Sequence, residues 1–291
     1  MTGSESSRGA AASGHNGGWI SQRAAIVSQA TELTPTAFIS HGSPAFALAD
    51  LPVTRFWESL PQVLSPLPQA LLCVSAHWDT GAPTLAGIAA PRRIQHDYYG
   101  FPPPLYTLTW PDTAGSGQAV AEAVRETLAA AGLAVALEDQ RPLDHGVWIP
   151  LRRAWPSPPV PVLQLSLCTH RGADWHWQLG EALAPLRKQG IWLLGSGGPV
   201  HNLARLEWAR VDAPPPLWAS EFMAALEPAL LARDRAVLCR PWALPNGREA
   251  VPTAEHYLPL LVALAAAGNG IEILHESWTH GSLACHAYAF H

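Results

Sequence analysis

The sequence predicts a single α/β domain with a central mixed, mostly parallel sheet that helices cover on both faces. Short apolar runs, each roughly four to eight residues long, recur from Thr36 onwards. Stretches with helical periodicity lie between several of these runs. Hydrophobic residues make up 48% and charged residues 14% of the 291 residues, which indicates a large core. Strands that alternate with helices are typical of a sheet covered on both faces.

The predicted strands are nearly continuous apolar runs, as expected for strands that are buried on both faces. In chain order they are 36–40, 69–76, 82–88, 133–137, 160–167, 190–196, 271–274 and 283–290. The Pro-rich stretches between them are interpreted as loops of one domain, because neither an internal repeat nor a second composition regime is present.

The predicted helices lie between these strands. The clearest covers 116–131, with Ser116 as N-cap and Gly132 just past the end. The others are 174–189, 216–234 and 253–267. Pro259 lies inside the last one, so we expect either a kink there or a later start.

The N-terminal segment differs from the rest of the chain. Residues 1–18 are almost entirely Gly, Ser, Ala and polar residues, which bury too little apolar surface to offset the entropy of ordering. We therefore expect 1–34 to be a disordered or loosely ordered tail and 35–291 to be the folded domain.

Several classes of protein are disfavoured by composition. No apolar run approaches the roughly 18 residues of a membrane span, and no signal peptide precedes the domain, so a cytoplasmic location is expected. Net charge is −5 and no basic block occurs, which argues against a nucleic-acid partner. The four cysteines are predicted to be buried thiols. Oligomeric state is not indicated.

Histidines follow the ends of several predicted strands. His41, His77 and His201 each come after a strand, His145 follows a strand and a loop, and His256 lies in the first turn of the helix predicted over 253–267. Sites in open α/β sheets form beyond the carboxyl ends of the strands, so these imidazoles can converge. Neutral imidazoles suit Zn, Fe, Cu and Ni. No GxSxG, Walker A or GxGxxG motif offers a competing chemistry.

The motifs around these histidines resemble those of class III, LigB-type extradiol dioxygenases, and most of all the 4,5-DOPA dioxygenase branch. The resemblance extends from about Phe38 to Phe290, with its pieces in the family's order. These pieces are HGSP at 41–44, SAHW at 75–78, HDYYGFP at 96–102, LDHG at 143–146, VLQLS at 162–166, GSGGPVHNL at 195–203 and EHYLPL at 255–260.

Transferred residue by residue, the resemblance implies that His41 and His77 bind a metal and that His256 is the third ligand. More distant relatives use a glutamate at the third position, so Glu255 is the alternative. His201 resembles the family's acid–base histidine and is expected to lie close enough to the metal to act as an occasional fourth ligand.

His145 resembles a second catalytic histidine that hydrogen-bonds the substrate or the oxygen intermediate. The implied activity is opening of a catechol-type ring, with a DOPA- or caffeate-like substrate and O₂. Fe(II) is the expected metal, although Zn²⁺ can occupy the same nitrogen ligands in purified protein. Two alternatives stay open, namely a zinc-dependent hydrolase and a non-enzymatic metal-site scaffold.

Overall fold

The structure, a computed structural model, describes residues 33–291. The tail predicted over 1–34 therefore lies outside the described residues except for its last two positions. Of these, Thr34 is tied to the domain, because the Arg187 Nε donates to its carbonyl at 2.7 Å. The segment Leu33–His291 forms one unit.

An eight-stranded mixed sheet forms the centre of this unit, with the strand order β4-β3-β5-β2-β6-β1-β10-β7. The strands are β1 (Thr36–Ser40), β2 (Ala70–Asp79), β3 (Thr84–Ala86), β4 (Ala136–Leu137), β5 (Val162–Leu167), β6 (Ile191–Gly197), β7 (Ile271–His275), β8 (Trp278–Thr279), β9 (Leu283–Ala284) and β10 (Ala287–Phe290). The four central strands are parallel, whereas β3 and β10 join them in antiparallel pairings. A separate pair is formed by β8 and β9.

Helices cover both faces of the sheet, as predicted. They are α1 (Pro52–Glu58), α2 (Leu60–Val63), α3 (Gln118–Ala130), α4 (His145–Ala154), α5 (Gly172–Leu183), α6 (Leu217–Leu231), α7 (Arg235–Leu238), α8 (Gly247–Ala250) and α9 (Leu258–Ala265). Consecutive residues of β2 point to opposite faces of the sheet and pack in two different apolar clusters. Leu72 packs in the cluster that contains α3, α5, α6 and α9, and Leu71 packs in the cluster that contains α1 and α4. The predicted fold class is confirmed.

The structure corrects several predicted boundaries. The helix predicted from 253 begins only at Leu258, with Pro259 in its first turn, where the missing N–H is tolerated. His256 therefore precedes this helix and does not lie in its first turn. The N-cap of α3 is Gly117 and not Ser116. The strand predicted over 283–290 is divided into β9 and β10 by two residues.

Two further corrections concern the site histidines. β2 extends to Asp79, so His77 lies within the strand and not after it, in a stretch where the register with β5 shifts. His145 is the first residue of α4, a helix that the sequence reasoning missed. The first seven residues of this helix are all buried, and Pro150 lies inside it, a residue that argues against a helix interior when only the sequence is known.

Candidate metal centre

Five histidines meet at the carboxyl end of the parallel part of the sheet. His41 follows β1 directly, His77 lies near the end of β2, and His201 comes shortly after β6. Because β1, β6 and β2 are parallel neighbours, their carboxyl ends share one edge. His145 reaches this edge from the start of α4, and His256 reaches it from the turn before α9.

The rings are in direct contact. The Nε2 atoms of His41 and His77 are 2.9 Å apart. The ring centroid of His256 lies 5.3 Å from that of His41 and 4.9 Å from that of His77. His201 stacks on His256 at 3.4 Å with an interplanar angle of 7°, and the centroid of His145 lies 4.0 Å from that of His77. All five histidines singled out in the sequence are therefore brought together. The atoms of this cluster that could hold a metal ion fall into two groups, His41 with His77 and His145, and His201 with His256 and Glu255.

The neighbours of His41 determine which of its nitrogens is free. The Ser196 hydroxyl donates its only proton to the Gly146 carbonyl at 2.6 Å. It therefore accepts a hydrogen bond from Nδ1 of His41, at 2.9 Å. With the proton on Nδ1, the Nε2 lone pair of His41 points at the other histidines, which is the tautomer that a metal ligand needs.

His256 is held with one nitrogen paired and the other free. Its Nδ1 lies 3.3 Å from Oε1 of Glu255, a carboxylate that also accepts from the Thr253 hydroxyl at 2.6 Å. Its Nε2 is buried and has no hydrogen-bond partner within residues 33–291. A buried nitrogen without a partner is costly, and a metal ion would satisfy it.

The end of β6 fixes the backbone of His256. The Gly198 N–H donates to the His256 carbonyl at 2.8 Å, and the Gly197 carbonyl accepts from the N–H of His41 at 3.2 Å. A Cβ atom on Gly197 would lie only 2.1 Å from the His256 carbonyl oxygen. The close approach of these two backbone segments therefore requires glycine at position 197.

His145 is oriented by Asp97. One oxygen of Asp97 accepts from the backbone N–H of His145 at 2.9 Å, and the other lies 3.1 Å from Nδ1 of its ring. Burial would raise the pKa of Asp97, but its hydrogen bonds with His145 outweigh burial and lower it. Asp97 is therefore an anion that fixes the ring and directs Nε2 away from the carboxylate.

A buried carboxylate also supports the start of α4. Asp144 accepts from the Ser75 hydroxyl at 2.8 Å and from the side-chain amide of Gln164. Burial raises the pKa of Asp144. These contacts join β2, β5 and α4 immediately beneath the histidine cluster.

Four of the five histidines are held in the neutral form that metal binding and base catalysis require. Burial, with the neighbouring histidines, lowers the pKa of His41 and of His256 well below the usual range. Burial lowers the pKa of His77 to about 3 and that of His201 to about 4. Crowded neutral imidazoles with converging lone pairs fit a divalent first-row metal.

The cluster lies at the base of a cavity of about 430 Å³. Four of the histidines, His77, His145, His201 and His256, line it together with Asp97. Most of the remaining lining residues carry aromatic or aliphatic side chains. This combination of an apolar cavity with a few convergent polar groups is typical of a small-molecule site.

Supporting residues were the part of the site that sequence reasoning missed. Asp97, Ser196, Asp144 and Gln164 all lie inside motifs that carried the resemblance, but no role was assigned to them. Their place inside these motifs was the available signal. Their partners in the site lie far away along the chain, and a motif does not show which distant residues meet.

Two further histidines lie outside the cluster. His96 packs on Trp148, with its Nε2 3.1 Å from the Leu108 carbonyl. His286 is buried beside Glu227 and Tyr288.

Across residues 33–291 we find no helix with the length and apolar character of a membrane span.

Comparison with known proteins identifies the family. The family described as the catalytic LigB subunit of aromatic ring-opening dioxygenase matches residues 35–291. A protein of Beta vulgaris named "4,5-DOPA dioxygenase extradiol" is 35% identical over 261 residues, which cover 88% of this chain and 96% of the relative. A protein of the same name from Escherichia coli K12 is 37% identical over 245 residues, covering 83% and 88% respectively.

A solved structure agrees with these relatives. The crystal structure of an uncharacterised protein from Escherichia coli K12 superposes with a TM-score of 0.75 at 31% identity, covering 89% of this chain and all of that one. The resemblance inferred from the motifs is thus confirmed. The chain belongs to the LigB family of aromatic ring-opening dioxygenases, and its reaction class is extradiol cleavage of an aromatic ring.

Proposed function

We propose that this chain binds Fe(II) through His41, His77 and His256 and uses O₂ to open a catechol ring next to its two hydroxyl groups. The observation that carries the proposal is the convergence of buried, neutral histidines at the base of an apolar cavity of about 430 Å³. Such a cavity lies within the size range of small-molecule sites.

The third ligand is assigned to His256 in preference to Glu255. The carboxylate of Glu255 lies against Nδ1 of His256, where it orients the ring, while Nε2 of the same ring is the buried nitrogen without a partner. Bound Fe(II) would supply the redox chemistry that allows O₂ to react with the catecholate, and zinc in the same place would supply none.

His201 is assigned as the acid–base residue. It lines the cavity, and burial lowers its pKa to about 4, so near pH 7 it is neutral and can accept a proton from a catechol hydroxyl. Its ring stacks face to face on His256, which places it beside the ligand set. The same position makes it the candidate for an occasional fourth ligand.

His145 is assigned to hydrogen bonding with the substrate. Its Nδ1 faces Asp97, so its Nε2 is the nitrogen that remains for a ligand in the cavity. A carboxylate only accepts hydrogen bonds, so the ring proton lies on Nδ1 and the Nε2 lone pair faces the cavity. His145 can therefore accept a hydrogen bond from a hydroxyl group of the substrate.

The deciding experiment loads the purified protein anaerobically with Fe(II), adds catechol, and then admits air. We expect O₂ uptake together with a yellow ring-opened product. The matched control is the same preparation loaded with Zn²⁺, which we expect to be inactive. Turnover of the zinc form, or turnover without O₂, would favour the hydrolase alternative. Stable metal binding without turnover would favour the scaffold.

A further inference from the structure

We propose that Glu227, Glu276 and His286 form a second metal site, here called the α6 site, which binds Zn²⁺ and stabilises the fold. The three residues come from separate parts of the chain. Glu227 lies near the end of α6, Glu276 follows β7 directly, and His286 immediately precedes β10. Each offers one ligand atom, a carboxylate oxygen or a ring nitrogen, and these atoms all lie within 4.8 Å of one another.

The two carboxylates of the α6 site are close neighbours. Burial raises the pKa of Glu227, and the charge of Glu276 and a hydrogen-bonding contact with it raise that pKa further. Adjacent carboxylates repel each other unless a proton or a cation lies between them. A divalent cation removes the repulsion and leaves both groups ionised, which is the form in which a carboxylate binds a metal.

His286 adds a neutral nitrogen ligand to this pair. Its side chain is only 4% exposed, and burial lowers its pKa to about 4. The ring lies against the carboxylates, with its Nδ1 3.6 Å from Oε1 of Glu227. One imidazole together with two carboxylates is a ligand set that suits Zn²⁺, which binds nitrogen and oxygen donors alike.

The surroundings of the His286 ring leave one of its nitrogens unsatisfied. The Tyr288 hydroxyl lies 3.2 Å from Nδ1, and Trp278 packs against the ring at a centroid distance of 5.5 Å. Nε2 is buried and has no hydrogen-bond partner within residues 33–291. A buried ring with one nitrogen held by a neighbour and the other unsatisfied is also what His256 shows in the catalytic centre. Such a ring gains by binding a cation.

The backbone of His286 connects the α6 site to β1. Its carbonyl accepts from the N–H of Ser40 at 3.0 Å, and its own N–H donates to the Ser40 hydroxyl at 3.2 Å. A cation bound by the three side chains would therefore tie α6 and the turn after β7 to the segment that pairs with the end of β1. Structural metal ions stabilise folds in this way, because the complete ligand set exists only in the folded chain.

The test counts the zinc ions that each chain binds when the purified protein is dialysed against buffered Zn²⁺. We expect the parent to bind about two ions, one in the catalytic centre and one at the α6 site. Glu276→Gln and Glu227→Gln should each bind about one, because a neutral amide replaces a charged ligand. Glu272→Gln is the matched control, since Glu272 is also an exposed glutamate of this region but lies outside the site, and it should bind as many ions as the parent.

Thermal unfolding and turnover show which site has been lost. Glu276 is exposed, so its replacement should not disturb the core. Added Zn²⁺ should raise the Tm of the parent by about 5 °C more than that of Glu276→Gln. The Fe(II)-loaded form of Glu276→Gln should turn over catechol as fast as the parent does, because the catalytic centre is unchanged.

Four outcomes would overturn the proposal. They are a parent that binds only one zinc ion, a Glu276→Gln variant that binds as many as the parent, an equal loss of zinc in Glu272→Gln, and equal rises of Tm in the parent and Glu276→Gln. If Glu276→Gln lost turnover together with its zinc ion, the lost ion would belong to the catalytic centre, and the α6 site would be wrong as well.

Discussion

Replacing Gly197 with alanine tests whether the end of β6 sets the position of the third ligand. A Cβ atom at this position would lie 2.1 Å from the His256 carbonyl oxygen, and such contacts are essentially never closer than 3.0 Å. The two backbones must therefore separate by at least about 0.9 Å, the difference between these values. Metal–ligand distances tolerate only about 0.2 Å.

We therefore expect Gly197→Ala to lose most of its affinity for Fe(II) or Zn²⁺, and to lose about 1–3 kcal/mol of folding free energy through overpacking. Gly198→Ala is the matched control. A Cβ atom there would meet no atom closer than 3.7 Å, so both properties should be nearly unchanged.

The measurements are metal content after anaerobic loading, metal affinity by competition with a chromophoric chelator, and the free energy of unfolding in urea. All three should be made on both variants. The chelator measurement separates the two effects, because a variant that is merely less stable can still bind metal tightly under native conditions. If Gly197→Ala bound metal as tightly as Gly198→Ala, the inferred coupling between β6 and His256 would be wrong.

Three further outcomes are expected. His201→Ala should retain its iron but lose about 10²–10⁴-fold in kcat, whereas His41→Ala should lose the iron itself; equal loss of iron in both would make His201 a ligand. Asp97→Asn should keep the metal and lower kcat about 10–100-fold because His145 is no longer oriented by an anion, which metal content and kcat on one preparation would check. Burial lowers the pKa of His176 to about 4. As pH falls, the unfolded chain therefore takes up a proton at this histidine before the folded protein does. The stability contributed by the neutral ring is lost between about pH 6.5 and pH 4. Between pH 7 and pH 5 the free energy of unfolding in urea should fall by about 2 kcal/mol more in the parent than in His176→Gln. An equal fall in both proteins would refute the assignment.

Much of the site could be predicted from the sequence because its main residues are tied to local features. His41 follows a buried apolar run, and the glycines before His201 follow another, so strand ends and turn residues marked both positions. The start of α4 at His145 was missed because Pro150 lies inside this helix, and a proline at such a position argues against a helix. The late start of α9 was foreseeable from Pro259 alone.

What the sequence determined by itself was therefore the fold class, the approximate strand ends and the set of histidines, since these follow from hydrophobic periodicity, turn residues and motifs. Only the tertiary structure decided how the histidines are held. The proton on His41 depends on Ser196, which lies 155 residues away along the chain, and the orientation of His145 depends on Asp97. Which strands become neighbours determines these contacts, and strand order arises from the packing of the whole sheet and not from any local pattern.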